Sequence, residues 1–373
     1  MRKKMTRREA FLHYVRHGGA PVCSPQIGSG AGFDTRLAGK RNVWETTLED
    51  TLSAAARFDI LPLINVGIVD LGECDSRLRW RAVGERQEGE RRFLQEALQT
   101  PVGTLTRTMM TDPRGGYLTK HPVETEDDLS ALEYYVEVAL EADLAPVEAH
   151  IRAVNAMVGE SGALDAQWAM QPYELLCMPS TKDTALLVHD CPERAVRLME
   201  RIVQLDDRLM DAVAAAGADF VFLGGPAKEM ISPKYYRSYL VPFSQQVTEL
   251  AHAKGLLVYS HICSPIEPFL SLGFYNQMGI DLFETLSPPP VGNVVSLADA
   301  MTKLDPAICT RGNLGLDVLL EADAGTVREG VFRILEETQG RKHMVAASDY
   351  LLYDVPEENI HAMADAVREW NGG

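Results

Sequence analysis

His261 and Cys263 stand two residues apart in VYSHICSP, at the end of an apolar run. In β geometry residues i and i+2 face the same side of the strand, so an imidazole and a thiol converge on one point. That donor pair suits a borderline-soft cation such as zinc. Glu284, in LFETLSPPP, ends the next apolar run, 21 residues further on. Adjacent strands lie about 4.8 Å apart, so a carboxylate there reaches the same ion. Three protein ligands with an open fourth position are what catalytic zinc requires. Each residue also has an ordinary reading. An HxC strand can pack as a thiol beside a hydrogen-bonded histidine, and a glutamate can serve as an ion-pair partner.

These residues must be positioned by the surrounding elements. Short apolar runs alternate with amphipathic ones through the C-terminal two-thirds of the chain. The spacing predicts strands at PVEAHIRAV, ALLVHD, DFVFLG, LLVYSHIC, DLFETL, AICTRGN and HMVAAS, after earlier strands at 21–27 and 60–66. Thr6 caps a first helix through Arg16, and further helices span 43–58, 125–141 and 191–215. This is the pattern of parallel βαβ units, and the count favours an α/β fold of the TIM-barrel, (β/α)8, type. Residues 74–120 (RLRWRAVGERQEGERR and onward) break the rhythm and predict a hairpin-rich inserted lobe in a single domain of residues 1–373. Active sites of such barrels lie at the C-terminal strand ends. The polar residues expected there are Asp59 and Asn65, Glu148 and His150, His189 and Asp190, Gly224 and Gly225, His261 and Cys263, Glu284, Cys309 with Asn313, and Ser348 with Asp349. The Gly28–Gly32 stretch, GSGAG, lacks phosphate-loop spacing and reads as a flexible loop.

The chain has 373 residues and a net charge of −17. That balance argues against nucleic acid or an anionic membrane as partner, since both select basic surfaces. The basic start, MRKKMTRREAF, is not followed by an apolar core of signal-peptide length, and no run approaches a membrane span, so a cytoplasmic protein is expected. The six scattered cysteines read as free thiols, metal ligands or nucleophiles.

The stretches TPVGTLT, KHPVETEDDLSALEYYVE, HDCPERAVRLMERI and GADFVFLGGPAKEMISPKYYRSYLVPF, with VYSHICSP, LFETLSPPP, GNLG and VPEENIHAMADAV, resemble the uroporphyrinogen decarboxylase superfamily from about residue 40 onward. The resemblance implies a distorted (β/α)8 barrel with an N-terminal extension, and one of two chemistries. The decarboxylase branch carries an RQAGR-like stretch, where this chain reads PVCSPQIGSGAG without arginine, and an NxxHG motif, where it reads AASDYLLYDVPEEN. Asp59, in RFDILP, matches the decarboxylase aspartate.

The other branch holds zinc-dependent, corrinoid-linked methyltransferases, including methylcobamide:coenzyme M methyltransferases. Their pattern is HxC, then Glu, then Cys on the last strand. His261, Cys263 and Glu284 match, whereas Ser348 or Asp349 stands in place of the last Cys, with Cys309 out of register. The resemblance thus implies zinc held by His261, Cys263, Glu284 and Asp349. It implies a small O-, N- or S-methyl substrate or a thiol acceptor, and a corrinoid (cobalamin) carried by a partner protein, since no DxHxxG motif holds one here. Asp in place of Cys leaves more positive charge on the metal and favours an oxygen or nitrogen substrate. Glu284, Asp349, Tyr236, His150 and Asp59 are the expected catalytic residues, Asn65 and Asn313 the cofactor-binding ones, and Tyr235 a pocket residue. Homodimers occur among relatives. The competing expectations are a metal-free decarboxylase using Asp59 as its acid/base, and a non-catalytic binding protein on the same barrel.

Overall fold

A computed structural model describes residues 5–28, 30–225 and 231–372; Ser29 of GSGAG and the first four residues lie outside them. The strands are β1 (Val22–Cys23), β2 (Leu63–Gly67), β3 (Arg81–Glu88), β4 (Arg91–Thr100), β5 (Gly103–Asp112), β6 (Gly115–Lys120), β7 (Ala163–Gln167), β8 (Phe220–Phe222), β9 (Leu257–His261), β10 (Leu282–Thr285), β11 (Cys309–Leu314) and β12 (His343–Ala347). Eight of them form one parallel sheet in the order β1-β12-β11-β10-β9-β8-β7-β2. Its ends meet where Leu61 N donates to Cys23 O at 2.9 Å and the Ser24 hydroxyl donates to Leu61 O at 2.6 Å. The result is the (β/α)8 barrel that the sequence pattern predicts. Strands β10, β11 and β12 are buried at every position, because helices cover one face and barrel side chains the other.

The first helix, Arg7–His17, begins at a capping box. The Thr6 hydroxyl accepts from Glu9 N at 3.1 Å, and the Glu9 carboxylate accepts from Thr6 N at 2.8 Å. Phe11, Tyr14 and Val15 then pack against Leu63, Ala163, Phe220, Leu282, Cys309 and Met344, which begin or lie near the beginning of barrel strands. The helix therefore closes the N-terminal end of the barrel and leaves the C-terminal end for chemistry.

Strands β3 to β6 form a separate antiparallel meander. This is the hairpin lobe expected within 74–120. Its buried residues Leu98 and Leu105 join the main core. Among the described residues, no helix is long and apolar enough to cross a membrane.

Two predicted strands are helices. PVEAHIRAV lies in the helix Ala145–Val158, where Val147, Ile151, Val154 and Val158 make one buried stripe. ALLVHD lies in the helix Thr181–Asp190, whose cap Ser180 accepts from Asp183 N. The strand that fills the gap is β7, ALDAQ, which has no β-branched residue to announce it. After β9, PIEPFLSLGF is a run of turns that leads into the short 3-10 helix Tyr275–Gln277. The helix expected over 43–58 is split into a 3-10 turn, Val43–Glu45, and a helix, Leu48–Ala56, with its own Thr47 cap.

Candidate functional site

His261 is the last residue of β9, and the register sets it beside Glu284 of β10. Glu284 in turn pairs across to Arg311 of β11. Asp349 follows the end of β12 by two residues. Both ring nitrogens of His261 are engaged. Nδ1 lies 3.0 Å from Glu284 Oε1, and Nε2 lies 3.3 Å from Asp349 Oδ1. The donor atoms of His261, Cys263 and Asp349 fall within 4.8 Å of one another, each residue half-buried. Among the described residues, this is the group of three His, Cys, Asp or Glu donors gathered closely enough for an ion.

Glu284 is placed differently from the sequence expectation. It is not one of the three but sits behind His261, wholly buried. Its Oε1 faces the imidazole, while Oε2 is paired with the buried Arg311 guanidinium and approached at 3.4 Å by Gln26 Nε2. Burial pushes the Glu284 carboxyl up, but the Arg311 charge and the His261 contact overcome this and hold it below its usual value. Burial likewise disfavours a charged His261. Hydrogen bonds with Asp349, Cys263 and Glu284 win, and its pKa rises well above the ordinary value. Three anionic or ionisable groups thus surround one imidazole, a field in which a cation is welcome.

One nitrogen, one sulfur and one carboxylate oxygen are the ligand types of zinc. A carboxylate on the second ring nitrogen is the usual support for a ligating histidine. The residues present fit the ion. Asp349 occupies the position where a cysteine was expected. Ser348 turns away, its hydroxyl accepting from Leu316 N at 3.3 Å. Cys309 begins β11 at the plugged end of the barrel, and burial pushes its thiol up to about 12, so it is no ligand for this cluster.

Next to the cluster runs a polar network that the sequence did not reveal. Asn65 of β2 and Asp165 of β7 are in register, with Asn65 Nδ2 donating to Asp165 Oδ2 at 2.9 Å. Asn65 and Gln167 both donate to the Tyr259 hydroxyl, at 2.9 and 2.7 Å. That hydroxyl lies 3.3 Å from the Tyr350 hydroxyl, and the Tyr350 ring stacks on His261 at 5.2 Å between centroids. Complete burial pushes the Asp165 carboxyl up to about 8, against the lowering effect of Asn65 and Gln167. Asp165 was missed with its strand; the spacing of Asp165 and Gln167 at i and i+2 was the available signal.

The remaining expected site residues are not brought to the cluster. Asp59 precedes β2 on the plugged side of the barrel, 72% exposed and 3.5 Å from Arg368 of the last helix, Glu357–Trp370. It is a surface ion-pair residue, not an acid at the mouth. His150 is on a helix, where Nε2 meets Gly67 O at 3.2 Å at the end of β2. Glu148, His189 and Asp190 are also helical. Tyr236 is wholly buried and stacks on Phe269 at 4.2 Å and Phe274 at 5.5 Å, a packing role. The Tyr235 hydroxyl donates to Tyr173 O at 2.9 Å. Asn313 ties down a loop by donating to Leu286 O at 3.0 Å.

The polar groups stand at the C-terminal mouth of a closed parallel barrel, where barrel enzymes carry their active sites. Residues 106–370 match the uroporphyrinogen decarboxylase (URO-D) family, and the chain belongs to that family. Similar curated proteins are the uroporphyrinogen decarboxylases of Thermus thermophilus (29% identical over 180 residues, 46% of this chain and 48% of that protein) and Gluconobacter oxydans (23% over 189 residues, 46% and 51%). The chain spans about half the length of the curated relatives it matches. Among solved structures, a methyltransferase from Methanosarcina mazei superposes with a TM-score of 0.68 at 15% identity, covering 99% of this chain and all of that one. At that identity the likeness speaks to the fold.

Proposed function

We propose that this chain is a zinc-dependent methyltransferase that moves a methyl group between a small O-, N- or S-methyl substrate and the corrinoid of a partner protein. The observation that carries this reading is the convergence of His261, Cys263 and Asp349 at the barrel mouth, with Glu284 supporting the histidine. His261, Cys263 and Asp349 would hold the zinc, which would supply positive charge to a heteroatom that gives up its methyl group.

The protein's own residues prepare the site. Glu284 accepts from His261 Nδ1 and so presents Nε2 to the cluster. Arg311 keeps Glu284 ionised inside the barrel. The Tyr350 ring covers the imidazole face. The methyl group moves as a CH3+ equivalent to the nucleophile, the heteroatom keeps the bonding pair, and a proton from water completes the product. Asp349 in place of a second thiolate makes the donor set harder, which favours an oxygen or nitrogen heteroatom over a thiol.

A carboxy-lyase reading has the relatives' names behind it. Its expected acid, Asp59, stands on the plugged side of the barrel. Metal analysis separates the two readings. Protein purified without chelator should hold about one zinc per chain, lost in Cys263→Ser, and should alkylate free cob(I)alamin from methyl ethers or methylamines, followed by absorbance. Metal-free protein that releases CO2 from a carboxylated substrate would overturn the proposal.

A further inference from the structure

Asp165 and Asn65 are register partners on β7 and β2, and Asn65 Nδ2 donates to Asp165 Oδ2 at 2.9 Å. The remaining oxygens of the same two side chains, Asp165 Oδ1 and Asn65 Oδ1, are both buried without a hydrogen-bond partner among the described residues. With Asp165 as a carboxylate, both are acceptors, and buried acceptors left unpaired cost free energy. With Asp165 as an acid, one of them becomes a donor. An amide and a carboxylic acid then close a pair through two hydrogen bonds, N–H to C=O and O–H to C=O.

The surrounding charges agree with the acid form. Glu284 of β10 and Arg311 of β11 both act on Asp165, and Arg311 is already paired with Glu284. From β9 comes the Tyr259 phenol, which burial keeps neutral, and the register partner on β8 is Phe220. Two carboxyls that share one guanidinium, sealed from water, do not both ionise. The pair also decides where the site's hydrogen bonds point. Asn65 gives its amide to Asp165 and to the Tyr259 hydroxyl, where Gln167 donates as well. Both lone pairs of that hydroxyl are then filled, so its own proton goes to the Tyr350 hydroxyl at 3.3 Å. The Tyr350 ring stacks on His261.

We infer that Asp165 is a positioning residue that carries a proton: it closes a two-bond acid–amide pair with Asn65 and, through Tyr259 and Tyr350, holds the imidazole of His261 in place. Loss of that proton sets Asn65 Oδ1 against a carboxylate oxygen, and the amide turns away from Tyr259. The effect on turnover rests on the proposed methyltransferase reading; the protonated pair does not.

The test compares the full chain with Asp165→Asn, whose amide offers Asn65 the same N–H and C=O at every pH. Wild type at pH 6 should show a carboxylic-acid C=O band in the infrared difference spectrum against the variant, lost by pH 9. Burial puts the folded-state value at about 8 against 3.8 unfolded, so the acid's contribution to stability is complete below pH 3.8 and is lost as pH climbs to 8. Wild type should therefore lose roughly 3 °C or more of melting temperature relative to the variant between pH 5 and pH 8. Between pH 7 and pH 9 the near-ultraviolet circular dichroism of the tyrosines should change in wild type and hold in the variant. Over the same range kcat for methyl transfer should fall about tenfold relative to the variant. No acid band, a melting-temperature gap that ignores pH, tyrosine signals that move alike, a constant kcat ratio, or a variant that does not fold overturns the proposal. Protein with the band, the gap and the tyrosine change that transfers no methyl group sinks the methyltransferase reading and leaves the role of Asp165 standing.

Discussion

Replacing Arg311 by methionine strands the Glu284 carboxylate inside the barrel. Both partners are wholly buried, and Glu284 would keep only the His261 contact and the long approach of Gln26. Breaking a buried pair by removing one partner costs about 3–5 kcal/mol. With about 2.1 cal/mol/K of unfolding entropy per residue, a chain of 373 residues loses roughly 4–6 °C of melting temperature for that cost. The loss carries a pH signature. In wild type the folded-state pKa of Glu284 lies below its unfolded value, so the pair stabilises above pH 4.5 and the benefit fades as pH falls. In Arg311→Met, burial acts without the cation and raises the folded-state pKa, so the variant weakens as pH rises. The gap between the two proteins should therefore be wider at pH 8 than at pH 5.5 in thermal denaturation followed by circular dichroism. Adding Glu284→Gln removes the stranded charge and should recover at least half the loss. A single variant within about 1 °C of wild type at pH 8, or a double variant no better than the single, refutes the reasoning.

Glu284→Gln alone leaves an acceptor for His261 but removes its charge, and zinc affinity should fall about 10–100-fold in competition with a chromophoric chelator. Asp349→Cys restores a second thiolate; zinc should be held more tightly, and thiol acceptors should gain on methyl ethers in methyl-transfer assays. His343 donates from Nε2 to Gly312 O at 2.9 Å and takes the Thr310 hydroxyl on Nδ1 at 2.8 Å. Burial holds its pKa down at about 4 from 6.5. Stability from the neutral ring is complete above pH 6.5 and is lost as pH falls toward 4, by roughly 3 kcal/mol. In His343→Asn the fall in denaturant midpoint between those pH values should be smaller than in wild type.

The barrel was legible where strands are short, apolar and followed by capped helices, as from β8 to β12. It was illegible at β7, because ALDAQ carries its meaning in Asp165 and Gln167 rather than in apolar residues. The helices at 145–158 and 181–190 read as strands because their stripes of four and three buried residues are short enough to mimic apolar runs. His261 and Cys263 could be paired from spacing alone. The position of Glu284 could not, because it depends on Arg311 in the neighbouring strand, and nothing in TRGN announces a buried arginine. Asp349 is an irregularity in the sequence, a carboxylate where a cysteine was expected, and the fold sets it against His261 Nε2.

Strand β1 is two residues long, yet it links the start of the chain to its end. Val22 and Cys23 pair with Met344 and Val345, and Cys23 O takes Leu61 N on the other side. During synthesis the seam cannot shut until β12 has left the ribosome. Until then β11 shows an unpaired edge, and the Tyr14 hydroxyl lacks the His343 carbonyl to which it donates at 2.8 Å. Raw strand edges invite pairing with other chains. A message truncated before His343 would therefore yield a sticky, unsealed sheet, and the C-terminal tenth of the chain is the fastener that turns it into a vessel.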